Sequence, residues 1–408
     1  MGKGAERAPV ELMPPHMLAL KQHRAHNFSA GAAMFDTNVM AHLQNNFLSY
    51  DGSGMGLFVS PKPLLLINCV AVGNVSVFSL DAVLSVLCTM QEMSQRDPGG
   101  PVQSCIARAE ANLRMLLDIP DNYKVLFFQG GAHAQFAAIP MNLFGENAKA
   151  DYAGQGVWNL KAAAEARKFG EVHMPAGSIA NGEGAYPPVE EWGLSDDAAY
   201  VHICGNETMS GMTFHTEPEV GPSRVLVADM TSSLLSRPVD VSKYGVIYAS
   251  SGKNLGPAGN CVVIVRDDLT GNELPQTPSI LSWQVQADSG NIYNTPNIFS
   301  IWALECITAD LLAKGGLVTA GDRARRRAEL VYDLIDRSCG FYTNNIAHGS
   351  SIQLEDLFVT ESTAAGLLQL FGHPLLGGLR VCIYNGLPDE AISELLVFMN
   401  SFMQKYQG

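Results

Sequence analysis

Between Lys124 and Arg266, short apolar runs alternate with helical stretches, and this alternation limits the fold more than any other feature of the chain. The runs are Lys124–Phe128, Tyr200–Cys204, Val225–Ala228, Gly245–Ala249 and Cys261–Val265. They are apolar at successive positions, not at every second one, which marks strands covered on both faces. Between the first two lie Gln135–Leu143 and Asn159–Phe169, both with helical spacing, and Asn159 is expected as an N-cap. The fold class that follows is α/β: a large domain with a mainly parallel sheet sandwiched by helices, plus a smaller C-terminal α/β domain. Ligands of such sheets sit at the carboxyl ends of the strands.

Two charged residues stand at those ends. Asp229 closes the run Val225–Ala228, and Lys253 follows the small-residue loop Ser250–Ser251–Gly252. A lysine amine makes a Schiff base with an aldehyde cofactor, and pyridoxal phosphate needs an acid on its pyridinium nitrogen to act as an electron sink. Asp229 and Lys253 suit those roles, although a turn-capping acid and a solvated lysine would look the same in isolation. Lys124–Phe128 runs into Gly130–Gly131 and then a helical stretch. That arrangement makes an anion site from free N–H groups and the helix dipole. Trp158, nearby in sequence to these turns, is either core or a stacking surface for an aromatic cofactor.

The remaining features bound the answer. A chain of 408 residues is expected to form two domains, divided here as a lead over 1–26, a large domain over 27–300 and a small one over 301–408. The net charge of −14 without a basic block disfavours broad nucleic-acid binding, so local arginines and helix N-termini must hold any anion. Eight scattered cysteines fit reduced thiols, and no spacing suggests a metal site. The N-terminal stretch lacks an apolar core of the secretory kind, so a cytoplasmic location is expected, with an organelle such as a plastid as the alternative. Leu64–Leu80 is a run of 17 uncharged residues, just short of a membrane span and weakened by Asn, Gly and Ser. Helices are further expected over Asn38–Phe47, Cys105–Asp118, Ile298–Ala313, Ala320–Arg337 and Pro388–Tyr406, with a strand over Leu379–Tyr384. Arg323, Arg325, Arg326 and Arg327 read as a solvated helix face.

The runs IPDNYKVLFFQGGA (119–132), NETMSGMTF (206–214), LLSRPVDVSKYGVIYASSGKNLGPAG (234–259), YNTPNIFSIW (293–302) and GGLRVCIYNG (377–386) carry a specific likeness. Through them the chain resembles the phosphoserine aminotransferase family, pyridoxal-phosphate enzymes with the aspartate-aminotransferase fold. The likeness extends from His26–Ala30 to the C-terminus. It implies amino transfer between L-phosphoserine and 2-oxoglutarate, in serine biosynthesis, by a homodimer with shared sites. Lys253 would form the Schiff base and move the proton, Asp229 would pair with the ring nitrogen and Trp158 would stack on the ring. Thr208 would bond the phenolic side, Ala132 and His133 would meet the phosphate, and Asn294 and Thr295 would reach the partner's cofactor phosphate. Arg96 and Arg380 would hold substrate anions, Arg380 as the α-carboxylate clamp.

Several positions depart from the family's pattern. Its usual Ser-His-Arg reads Ser94, Gln95, Arg96 here, and its glutamine before the lysine is Gly252, which keeps a place in the cofactor set without that side chain. Its Gly-His-Arg reads Gly372, His373, Pro374, leaving His373 in the substrate set without the arginine. Residues 57–91 have no counterpart in the family, and the chain near His348–Gln353 is short. These departures keep two alternatives in view, an aminotransferase with an altered substrate and a non-catalytic homologue.

Overall fold

The computed structural model describes residues 25–30, 33–46, 99–145, 148–178, 186–214, 216–343, 352–373 and 377–407. A two-residue strand, β1 (His26–Asn27), comes first. Seven further strands build the central sheet: β2 (Tyr123–Gly130), β3 (Lys149–Ala153), β4 (Glu171–His173), β5 (Tyr200–Cys204), β6 (Leu226–Asp229), β7 (Val246–Ser250) and β8 (Gly259–Arg266). Their order is β2-β8-β7-β6-β5-β3-β4. The pairs from β7 through β6, β5 and β3 to β4 are parallel, and β8 runs antiparallel to both β7 and β2. The sheet is thus mainly parallel, as its continuous apolar runs require.

Strand alternation explains those runs. Along β8, Val262 and Ile264 join one core, whereas Cys261, Val263 and Val265 join the core on the opposite face. Helices α1 (Thr37–Asn46), α2 (Pro101–Leu117) and, from further along the chain, Ile298–Ala313 cover the first face. Proline in the first turn of α2 and Asp118 in the left-handed region at its end (φ 49°) set its limits. The second face is covered by α3 (Ala132–Leu143) and α4 (Val157–Ala166), with Trp283 of α5 (Trp283–Asp288). Each fully buried aliphatic or aromatic side chain in these layers contributes about 1.5–3 kcal/mol of burial free energy.

Ile298–Ala313 is α6, and it is followed by α7 (Gly316–Arg337), α8 (Ile352–Ala364), β9 (Leu367–Leu368), β10 (Phe371–His373), β11 (Gly377–Leu379) and α9 (Asp389–Tyr406). Helix α6 runs through residue 300, and its Ile301, Trp302 and Leu304 belong to the larger core. A third core gathers Val331, Leu334, Phe358, Leu395, Met399 and Phe402 around Phe28 and Met34 from the N-terminal segment. β1 completes that attachment by pairing in parallel with β9.

Several sequence expectations are corrected here. The helix predicted from Asn159 starts two residues earlier, at Val157, and its N-cap is Gly156. Asn159 is buried inside the helix, where its amide donates to the Ala153 and Gly154 carbonyls. The strand predicted over Leu379–Tyr384 stops at Leu379, because the Cys382 N–H turns to the Phe28 carbonyl instead of to a neighbouring ladder. The arginine face is not wholly solvated. Arg327 is buried and bonded to Asp389 (Nε to Oδ1, 2.6 Å), and Arg323 donates to the Asn385 carbonyl at 2.5 Å. Leu64–Leu80, residues 57–91 and His348–Ser351 lie outside the described residues. No described helix is long and apolar enough to cross a membrane.

Candidate active site

The carboxyl ends of β5, β6 and β7 lie side by side, so Gly205–Thr208, Asp229 and Ser250–Lys253 converge although they are far apart in sequence. Lys253 Nζ donates to Thr208 Oγ1 at 2.6 Å. Burial pushes the Lys253 amine below the usual lysine range, and the Asp229 carboxylate opposes that shift. Asp229 is 5% exposed. Burial raises its pKa, while the Thr231 N–H, donating to Oδ1 at 2.9 Å, acts in the opposite direction. An amine whose pKa burial lowers, held beside an acid, is suited to act as a nucleophile and proton carrier.

The glycine loop supplies a second wall. Gly131 is the N-cap of α3 and no side chain caps that helix, so Ala132 and His133 form an open N-terminal turn. A Cβ on Gly131 would stand 3.4 Å from Ser250 Oγ, which places a hydroxyl beside this turn. Trp158 forms a third wall, in the first turn of α4. Its ring meets His133 edge-on with centroids 5.7 Å apart, the Lys161 ammonium lies 4.7 Å from its centroid, and its Nε1 is buried without a protein partner.

The other predicted residues fall in different places. Arg380 is partly buried, its Nε has no protein partner, and it shares the Cys382 thiol with Lys253 as a neighbouring charge. Gly252 adopts φ +108°, a backbone state suited to glycine, and its N–H donates to the Gly256 carbonyl at 2.6 Å. Asn294 and Thr295 are exposed, on a segment tied to β2 where Gln129 Nε2 donates to the Thr295 carbonyl. His373 lies in β10, whose backbone pairs with β11. Arg96 lies outside the described residues.

Sequence reasoning missed the layer beneath. Glu207 is fully buried and accepts from the Trp158 N–H at 3.1 Å. His202 contacts Asn159 Oδ1 through Nδ1 (3.0 Å) and the Tyr248 hydroxyl through Nε2 (2.9 Å). Asn159 spends its amide on two carbonyls, so its oxygen must accept from Nδ1–H, and Nε2 must accept from Tyr248. Burial pushes His202 down to about 3, so it stays neutral. The only signal in the chain for Glu207 was its place directly before Thr208.

These residues fit pyridoxal phosphate. They provide a depressed lysine amine, a buried acid, a buried indole N–H without a partner and a helix N-terminus without a side-chain cap for a phosphate. Comparison with known proteins agrees. The aminotransferase class-V family matches residues 89–354. A phosphoserine aminotransferase of Laribacter hongkongensis is 40% identical over 392 residues, covering 93% of this chain and 99% of the relative. Its counterpart in Ralstonia nicotianae is 38% identical over 402 residues, covering 94% and 97%. The chain belongs to the phosphoserine aminotransferase family. Solved members share its fold. The enzyme of Bacillus circulans subsp. alkalophilus superposes with a TM-score of 0.81 at 34% identity, covering 94% of this chain and 99% of the other. The pyridoxal-phosphate-bound enzyme of Trichomonas vaginalis gives 0.79 at 30% identity, covering 92% and 100%. The aspartate-aminotransferase-like α/β class expected from the sequence is the observed one, and the protein is a pyridoxal-phosphate-dependent transaminase.

Proposed function

We propose that this phosphoserine aminotransferase family member exchanges an amino group between L-phosphoserine and 2-oxoglutarate, giving 3-phosphooxypyruvate and L-glutamate, within L-serine biosynthesis. When bound, pyridoxal phosphate supplies an aldehyde for a lysine and a ring that drains electron density from the substrate Cα. The observation that carries the reading is the Lys253 amine, depressed by burial and held 2.6 Å from Thr208 within the field of Asp229. Lys253 would be the attachment point, and its amine, once freed, would be the acid/base that moves the 1,3-proton of transamination. Asp229 would hold the proton on the ring nitrogen, and Thr208 would donate to the phenolic oxygen. Trp158 would stack on the ring and exclude water from one face.

Ala132 and His133 hold the phosphate with backbone N–H groups at the open turn of α3, and Gly252 borders the same site. Arg380, with its unpartnered Nε, clamps the α-carboxylate, while Arg96 and His373 serve the substrate phosphate. Exposed Asn294 and Thr295 suit reach into a second subunit, so the working form is a homodimer with shared sites. A cytoplasmic location and a division into a cofactor-binding domain and a small C-terminal domain belong to the same reading.

The test is borohydride reduction of protein incubated with pyridoxal phosphate, followed by peptide mass mapping. The label is expected on Lys253 and lost in Lys253→Ala; labelling elsewhere, or none, sinks the cofactor assignment. Comparing kcat/KM for phosphoserine with that for aspartate and alanine then decides the substrate. A preference for an unphosphorylated amino acid would overturn the phosphoserine reading and leave the transaminase intact.

A further inference from the structure

Glu207 is an acid with 0% exposure and no cationic side chain bonded to it among the described residues. Burying such a group is costly unless its oxygens are satisfied. Both are, but by backbone. Oε2 accepts from the Trp158 N–H at 3.1 Å, at the N-terminus of α4, and Oε1 accepts from the Met209 N–H at 3.3 Å. Thr208 lies between Glu207 and Met209, in a tight turn closed by Gly211 N–H to the Glu207 carbonyl (2.8 Å) and Glu207 N–H to the Met212 carbonyl (2.7 Å). One carboxylate therefore ties the helix that carries Trp158 to the turn that carries Thr208.

The approach is built into the backbone. A Cβ on Gly156 would stand 2.2 Å from Oε2 and 2.7 Å from Cδ, so α4 meets the carboxylate only because that residue is glycine. Gly156 also has φ 130° and ψ 161°, a region that side chains avoid. A glycine at positive φ, a buried acid and a helix dipole aligned on one contact are more than packing needs, since an apolar residue would fill the same space without the desolvation cost.

We propose that Glu207 is a positioning residue that sets the separation of Trp158, the surface that would stack on the cofactor ring, from Thr208, the hydroxyl that would bond its phenolic oxygen. The proposal rests on the pyridoxal phosphate reading, and its test separates the two. Of the four tryptophans, Trp192, Trp283 and Trp302 are at most 1% exposed, so acrylamide quenching of the cofactor-free protein reports Trp158, with Trp158→Phe as the control. Glu207→Ala is expected to raise the quenching constant about twofold or more and weaken pyridoxal phosphate binding about tenfold, the scale of losing a hydrogen bond to a charged group. Glu207→Gln keeps one acceptor oxygen for the Trp158 N–H but sets an NH2 against the Met209 N–H, so both readouts are expected to fall between those of the Ala variant and wild type. If Glu207→Ala does not fold, Glu207→Asp gives the same comparison, because its shorter reach cannot span both N–H groups. Wild-type quenching and affinity in the Ala or Asp variant would overturn the proposal, as would a Gln variant as impaired as Ala. Wild-type protein that binds no pyridoxal phosphate would sink the cofactor reading, and the quenching comparison alone would then decide the clamp.

Discussion

Gly156→Ala is the most exacting perturbation of this site, because two separate penalties meet at one atom. The residue sits at φ 130°, ψ 161°, where a side chain strains the backbone by about 1–3 kcal/mol. Its added methyl would lie 2.2 Å from Glu207 Oε2 and 2.7 Å from Cγ, an overpacking that costs about 1–3 kcal/mol more. Restricting the unfolded chain returns about 0.4–1 kcal/mol. The net expectation is a destabilisation of about 1–5.6 kcal/mol. Denaturant unfolding of cofactor-free protein measures it, and the double variant Gly156→Ala/Glu207→Ala resolves its two parts. Removing the carboxylate relieves the clash but not the backbone strain, so the two changes should couple favourably by about 1–3 kcal/mol. A Gly156→Ala protein within about 0.5 kcal/mol of wild type, or strictly additive substitutions, would refute the geometry on which the Glu207 argument stands.

Asp229→Asn removes the charge that counters the burial of Lys253, so the lysine pKa should fall further. The pH profile for trapping pyridoxal phosphate on Lys253 should then shift toward acid, and an unmoved profile would show that Asp229 does not act on the amine. The sign for stability follows: a lysine titrating lower when folded than when unfolded makes cofactor-free protein gain stability as pH rises between the two values, and this substitution extends that window on its acid side. At the junction of α7 and α9, the Arg327 side chain is 5% exposed and that of its partner Asp389 is 69% exposed. Asp389→Ala leaves a buried guanidinium unpaired and should cost more than Arg327→Met, though less than the roughly 3–5 kcal/mol of breaking a fully buried pair. Thermal unfolding of the two variants ranks them, and the reverse order would contradict this account.

Much of the frame was legible in the chain. Successive apolar residues in Cys261–Val265 and Val225–Ala228 report strands covered on both faces, because each neighbour points to an opposite core. Helix α6 matched the pattern at both ends, since Asn297 caps it by accepting from the Ser300 N–H and Lys314 closes it. Asp229 and Lys253 stood out as charges at the ends of such runs. The failures trace to contacts with segments distant in the chain. Asn159 suits an N-cap by residue type, but the buried carbonyls of Ala153 and Gly154 and the ring of His202 claimed its side chain. Arg327 belongs to a charged run, and only the docking of α9 buries it.

By itself, then, the sequence determined the α/β class, most of the elements and the two charged groups of the site, because periodicity and residue type are local properties. Only the tertiary structure decided which strand ends adjoin. The order β8-β7-β6-β5 brings Lys253 to Thr208 across 45 residues, and it brings Asp229 beside both. It also turned Glu207 inward and lodged Phe28 in the C-terminal core. Burial and adjacency depend on how distant segments pack, and a single stretch of chain carries no record of its distant neighbours.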